Sequence, residues 1–287
     1  MTNTRRIWLC ADDYGMAPGV NGAIRELILR RRLNATSVMM AAPHLGSDEV
    51  AALDMLNSGQ KRAALGLHVT LTAPFKPMSA GFSPLRDGSF LPHREMLRLA
   101  TLRRLKPEPL TIEIATQLRA FVEAFGRLPD FLDGHQHVHL LPQVRDAFLT
   151  VAAEIAPNAW VRQCARARST WRLHDPKSLV LDILSLGFRA QAERRGLAVN
   201  PAFAGAYVFN AEANFARIFP RFLNGLPDGG LIMCHPGVVD AELERLDALT
   251  ALREHEFAFF SSDAFPRLLA AQGVELAEPP GDGGGAA

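Results

Sequence analysis

Three of the chain's nine histidines fall within five residues, in the run Phe131-Leu132-Asp133-Gly134-His135-Gln136-His137-Val138-His139-Leu140-Leu141-Pro142. Neutral imidazole is the commonest nitrogen ligand of transition metals, and a segment that supplies one or two such ligands needs partners from elsewhere. If the run stays extended, His135, His137 and His139 turn to one side with period two; if it coils, His135 and His139 share a helix face. Either geometry suits a metal, and the alternative is a merely solvated histidine cluster. The Asp133-Gly134 pair reads as a turn at which a buried strand reaches solvent.

Four other positions repeat one pattern, an apolar run followed by a chemically capable side chain. Residues 7–11 form a continuously apolar strand that delivers Asp12-Asp13-Tyr14-Gly15. Adjacent carboxylates repel and are costly to desolvate, so they stay on solvated turns unless a cation or a proton relieves them. His68 interrupts the apolar strand 64–72, Arg162 closes the short strand 159–162, and His235-Pro236-Gly237 follows the strand 230–234. For His68 the competing reading is a satisfied core residue, and for Arg162 a surface ion pair.

The elements that must position these groups alternate. Residues 18–31 carry apolar side chains at helical spacing, with Pro18 at a permitted first-turn position and cations near the end. A second strand is expected at 35–40, helices at 47–56, 94–105 and 111–125, the last stopped by Gly126 and Pro129. Beyond the histidine run come a helix to about 156, a strong helix at 179–195, a strand at 203–209 and a helix at 211–223 interrupted by Pro220. A helix at 263–272, a strand at 274–276 and a Pro, Gly and Ala tail at 279–287, expected to be disordered, complete the chain. The loop 73–92 is long for a structureless connection and reads as a lid or substrate wall.

Strands alternating with helices make a parallel sheet or barrel whose carboxyl ends converge. The length of 287 residues fits one α/β barrel or a doubly wound sheet with insertions, so a single domain over 1–278 is the expectation. Thirty-one basic residues against 30 acidic ones, a formal net charge of +1, leave no field that favours nucleic acid or an anionic membrane. Cys10, Cys164 and Cys234 are too few and too widely spaced for a disulfide framework or a CxxC metal site, and reduced thiols in the cytoplasm fit best. No stretch approaches the 18 apolar residues of a membrane span, and no signal peptide is evident.

Together, Ala11-Asp12-Asp13-Tyr14-Gly15 with Asn21, Thr36-Ser37, Gly66-Leu67-His68-Val69-Thr70-Leu71, Leu132-Asp133-Gly134-His135-Gln136-His137-Val138-His139 and Met233-Cys234-His235-Pro236-Gly237 resemble the YdjC/ChbG/HpnK family of carbohydrate deacetylases. The resemblance runs from about residue 6 to 276. It implies an irregular TIM-like barrel of parallel strands with a metal site at their carboxyl ends. It also implies hydrolysis of the N-acetyl group of an N-acetylglucosamine-containing sugar, such as a chitooligosaccharide or a glycolipid head group like an acetylglucosaminyl hopanoid.

Residue by residue, the resemblance places the metal ligands on Asp13, His68 and His135, the general base on Asp12 and the general acid on His235. Arg162 would orient Asp12, and Tyr14, Asn21, His137 and His139 would bind substrate or support the ligands. The family's usual ion is magnesium, whereas two imidazoles and one carboxylate suit zinc or another transition ion better. This chain has Tyr14 where Phe is common and Gly134 where Ser is common.

The partners expected are an acetylated amino sugar, with a homodimer left open. The competing functions are hydrolysis of another amide or ester and a non-catalytic sugar-binding protein on the same scaffold. A glycoside hydrolase is disfavoured, because adjacent aspartates in an extended segment should point apart.

Overall fold

The computed structural model describes residues 4–167, 176–207 and 213–279, with the side chains of 176–178 left aside. The predicted tail therefore lies almost wholly outside the described residues, as does the end of the expected strand at 203–209.

The first strand, β1 (Arg5–Tyr14), is the centre of the sheet. Its partners are β2 (Ala35–Val38) beside its carboxyl half, β8 (Val274–Leu276) beside its amino half, and β7 (Leu231–Cys234) on the other edge. Outward from β2 follow β3 (Ala64–Val69), β4 (Phe131–Gly134) and β5 (Trp160–Val161); β6 (Phe203–Ala204) lies beyond β7. Every pairing is parallel. The segment before β6 reaches the opposite edge: Val161 N donates to Ala198 O, and Phe203 N donates to Ala165 O, each at 2.9 Å. The sheet is thereby curled into an irregular TIM-like barrel, as the alternation of elements predicts.

The helices are α1 (Pro18–Leu29), α2 (Ser47–Met55), α3 (His93–Thr101), α4 (Pro107–Phe125), α5 (Val144–Ile155), α6 (Pro176–Arg194), α7 (Phe215–Phe222), α8 (Ala241–Leu246), α9 (Ala251–Ser261) and α10 (Ala264–Ala271). Helix α4 begins four residues before the expected start at 111, because Pro107 and Pro109 sit in the first turn, where no intrahelical N–H is needed. It stops where expected, with Gly126 in the left-handed region at φ 65°. Helices α8 and α9 lie between Gly237 and Asp263, where the sequence reading placed no element.

Two close approaches position the site. The side chain of Phe131 on β4 lies flat over Gly66 of the neighbouring β3, where a Cβ would stand 2.3 Å from the ring, and it stacks on Trp160 at 4.3 Å. The loop 73–92 is packed rather than structureless. Phe75, Phe82 and Phe90 are buried, and Glu113 of α4 accepts hydrogen bonds from Met78 N at 3.0 Å and Ser79 N at 2.7 Å. No described helix is long and apolar enough to cross a membrane.

Candidate active site

All strands being parallel, their carboxyl ends meet at one rim, and a cavity of about 640 Å³ opens there. Asp12, Asp13, His68, His135, His137 and His235 all line it, together with Gln136, Met233 and the segment 247–253.

The two aspartates do not point apart. Between β1 and β2 the register slips by one residue, from Ala11 opposite Thr36 to Tyr14 opposite Val38, and Asp13 has φ 71°. A β-bulge of this kind breaks the strict alternation of a strand, so neighbouring side chains can both face the cavity. The expectation from an extended segment fails at this one backbone irregularity.

Each carboxylate has its own cation. Arg162 Nη1 and Nη2 donate to the two oxygens of Asp12, each at 2.7 Å, and Ser37 Oγ adds a hydrogen bond at 3.1 Å. Arg162 is fully buried, so the surface ion pair is excluded. Burial opposes the charged form of Asp12, but the Arg162 guanidinium, with His68 and His235, outweighs it and holds the carboxyl well below the usual carboxylate range.

Asp13 Oδ2 accepts from Arg253 Nη2 at 2.6 Å, while Oδ1 faces His135 Nδ1 at 2.9 Å and His68 Nε2 at 3.4 Å. Burial opposes its charge too, and His135 and Arg253 prevail, keeping Asp13 ionised.

Asp13, His68 and His135 each bring one ligand atom within 4.8 Å of the others, and all three are buried. One carboxylate oxygen and two imidazole nitrogens make a donor set that fits a divalent transition ion and leaves positions open for water and substrate. The surroundings fit as well. His68 turns its other nitrogen, Nδ1, to Asp133 Oδ1 at 2.6 Å and Ser37 Oγ at 3.0 Å, the outer contact that fixes tautomer and ring direction in metal-ligating histidines. Phe75 packs its ring edge-on to His135 at 5.7 Å.

A second cluster among the described residues, Cys10, Asp12 and Asp133, already holds a cation. Arg162 Nη2 lies 3.0 Å from Cys10 Sγ, 2.7 Å from Asp12 Oδ1 and 2.5 Å from Asp133 Oδ2. Four carboxylates, Asp12, Asp13, Asp133 and the half-buried Asp247, thus share two guanidiniums, a formal surplus of two negative charges. Burial works against a charged His68, yet Asp133, Asp12 and Asp13 outweigh it and push the imidazole up to about 10. A cation at the Asp13–His68–His135 point would offset the same surplus.

His235 lines the cavity, and its backbone N–H donates to Glu256 Oε2 at 2.5 Å. Burial lowers its imidazole, against the pull of Asp13. Tyr207 donates to Glu256 Oε1 at 2.7 Å, and burial pushes the Glu256 carboxyl up to about 7.

The histidine run takes neither of its two anticipated forms. Residues His135–Leu140 make a 3-10 turn in which Gln136 and His137 have φ 53° and 58°. His135 therefore enters the ligand cluster, and His137 lines the cavity with Nδ1 3.5 Å from Cys164 Sγ. His139 turns beneath the strand end, where its Nε2 donates to Arg162 O at 2.9 Å and its ring packs on Phe148 and Phe188. Nor is Asp133 a turn residue at the solvent, since it is fully buried in β4. A Cβ at Gly134 would stand 3.0 Å from His139 Nδ1, so a serine there requires that ring to shift.

Four expected site residues lie off the cavity wall: Arg162, which reaches it through Asp12, and His139, Tyr14 and Asn21. Tyr14 donates to Glu49 Oε2 at 2.9 Å, and Asn21 accepts from Gly15 N at 2.6 Å while donating to His44 O at 3.0 Å. Both fix the path of the chain after Asp13 rather than meeting a ligand. Conversely, the sequence reading assigned no role to Ser37, Asp133, Arg253 or Glu256. Ser37 and Asp133 stand within quoted motifs; Arg253 and Glu256 sit in a charged segment for which no element is expected from the sequence.

A family model described as YdjC-like protein matches residues 6–271. The crystal structure of a protein from Enterococcus faecalis V583 named for cellobiose-phosphate cleavage superposes with a TM-score of 0.72 at 17% identity, covering 96% of this chain and 97% of that one. The lactam utilization protein of Thermus thermophilus superposes at 0.53 and 15% identity, covering 95% of this chain and 99% of that one. At these identities the two likenesses speak for a shared fold. With nearly its whole length matched by the family model, the chain belongs to the YdjC-like protein family.

Proposed function

We propose that the protein is a metal-dependent carbohydrate deacetylase that hydrolyses the N-acetyl group of an N-acetylglucosamine-containing sugar and releases acetate. The observation that carries this reading is the division of labour between adjacent carboxylates in one cavity: Asp12 gripped by Arg162, Asp13 grouped with His68 and His135. Membership of the YdjC-like family supports it.

Asp13, His68 and His135 would hold the ion, which when bound supplies Lewis-acid polarisation of the acetamide carbonyl and acidifies water. Asp12, kept ionised by Arg162, is the base that takes the proton of the attacking water. Its carboxylate cannot rotate freely, because both oxygens are held by the guanidinium. His235 hands a proton to the departing amine. Burial leaves that imidazole neutral at rest, so it must first take up a proton, which the nearby Asp13 and Asp12 carboxylates favour. The walls around His137 and the segment 247–253 receive the sugar.

Cleavage of a glycosidic bond needs one carboxyl kept protonated as the acid. Asp12 and Asp13 are both held below the usual carboxylate range, so neither serves that role. The test is a substrate panel: acetate release from N,N′-diacetylchitobiose against release from simple acetate esters. Preferential release from the sugar amide supports the proposal, and ester hydrolysis with no sugar deacetylation replaces it.

A further inference from the structure

Seven described non-glycine residues have a positive φ. Arg31 and Arg103 follow the ends of α1 and α3, where left-handed residues are ordinary, Asp87 sits in the 86–89 turn, and Gln143 precedes α5 with its amide bonded to Leu105. The remaining three, Asp13, Gln136 and His137, all line the cavity, and only Gln136 and His137 are consecutive.

Two successive left-handed residues with side chains are costly, and glycine would follow the same path without strain. Strain of this kind persists where a side chain is needed at that spot. His137 meets Cys164 and packs edge-on to Phe203 at 5.7 Å, so its ring is held from behind. Gln136 is exposed on the cavity wall, and its amide has no hydrogen-bond partner among the described residues. A primary amide offers a donor and an acceptor on one plane, the pair that a hydroxyl group, itself donor and acceptor, can satisfy.

We propose that Gln136 is a specificity-determining residue whose side-chain amide hydrogen-bonds a hydroxyl of the sugar that carries the acetamido group. The assignment rests on the deacetylase reading above and adds to it the residue that distinguishes a sugar from a plain acetamide. The strained turn sets this residue in the cavity that His135 and His235 also line, and a glycine at the same position would keep the turn but lose the recognition.

The test compares wild type with Gln136→Ala and Gln136→Gly. Binding of N-acetylglucosamine and N,N′-diacetylchitobiose is measured by calorimetry, acetate release is measured from the disaccharide and from acetanilide, which has no hydroxyl, and melting temperature is recorded for each protein. Loss of one neutral hydrogen bond weakens sugar binding roughly 3- to 10-fold. Both variants are expected to show that loss with acetanilide turnover unchanged, and Gln136→Gly to melt no lower than wild type. Wild-type sugar affinity in Gln136→Ala overturns the assignment, as does an equal loss of acetanilide turnover. Wild-type protein that neither binds nor deacetylates the sugar overturns the deacetylase reading and this assignment with it.

Discussion

Asp12 and Asp13 share a peptide bond yet bind different cations: Arg162 holds both oxygens of the first at 2.7 Å, and Arg253 holds Oδ2 of the second at 2.6 Å. The bulge that brings both into the cavity leaves Asp13 Oδ1 facing two imidazoles, while the oxygens of Asp12 are held by Arg162 and Ser37. Identical side chains thus receive different chemistry from their neighbours alone.

The two-point grip on Asp12 is planar, and lysine cannot reproduce it. Arg162→Lys should lower kcat by on the order of 100-fold through misplacement of the base, with KM changed far less. Steady-state kinetics on a variant with an unaltered circular dichroism spectrum checks this; equal kcat would show that Asp12 needs no orienting partner.

Arg253 links Asp13 to Asp247, at 2.6 and 2.7 Å, and donates through Nε to Leu249 O, so it ties the segment over the cavity to a proposed ligand. Removing one partner of a buried pair costs about 3–5 kcal/mol. Arg253→Met should lose stability of that order in metal-free protein and recover part of it with saturating zinc, because the ion would neutralise the Asp13 charge left behind. Urea unfolding with and without zinc decides, and an identical deficit in both would separate Arg253 from the ligand cluster.

Glu256 gives a pH signature. Burial raises its carboxyl from an ordinary 4.5 to about 7, so the folded protein binds its proton more tightly than the unfolded chain. The stability this group contributes is fully present below about pH 4.5 and is lost as pH rises through 7, at most about 3 kcal/mol. Glu256→Gln should flatten the fall in unfolding free energy between pH 5 and pH 8. An unchanged slope would mean that Glu256 titrates normally in the folded state.

The face of Gly66 has no room. Gly66→Ala sets a Cβ 2.3 Å from the Phe131 ring, and overpacking of this kind costs about 1–3 kcal/mol. A lowered melting temperature is expected, and an unchanged one would show that Phe131 and Trp160 can move outward together.

The barrel was legible because apolar strands alternate with helices, and four of those strands end in Asp12-Asp13, His68, His135 and His235. The same logic brings Asp12, Asp13, His68, His135 and His235 to one cavity, where the structure has them. Two features escaped it for physical reasons. Backbone irregularity has no hydropathy signal: the bulge at Asp13 and the left-handed pair Gln136-His137 are built from residues that could equally lie in a regular strand or helix. Buried ionic partners look like surface residues in sequence. Arg253 and Glu256 fall among Leu252-Arg253-Glu254-His255-Glu256-Phe257, a charged stretch of α9, and only the fold shows that Arg253 and Glu256 are 1% exposed. Tyr14, Asn21 and His139 stand off the cavity wall, and of the two roles expected for them, binding substrate or supporting the ligands, their contacts to Glu49, Gly15, His44 and Arg162 accord with the second.

Every step of the proposed reaction depends on one divalent ion held by Asp13, His68 and His135. The most direct measurement strips the purified protein with chelator, adds back zinc, magnesium, cobalt or nickel, and follows bound metal and acetate release from N,N′-diacetylchitobiose together, in wild type and in His68→Ala. One ion per chain is expected, with acetate only when it is bound and loss of both in His68→Ala. Undiminished acetate from metal-free protein, or a full metal complement in His68→Ala, would contradict this.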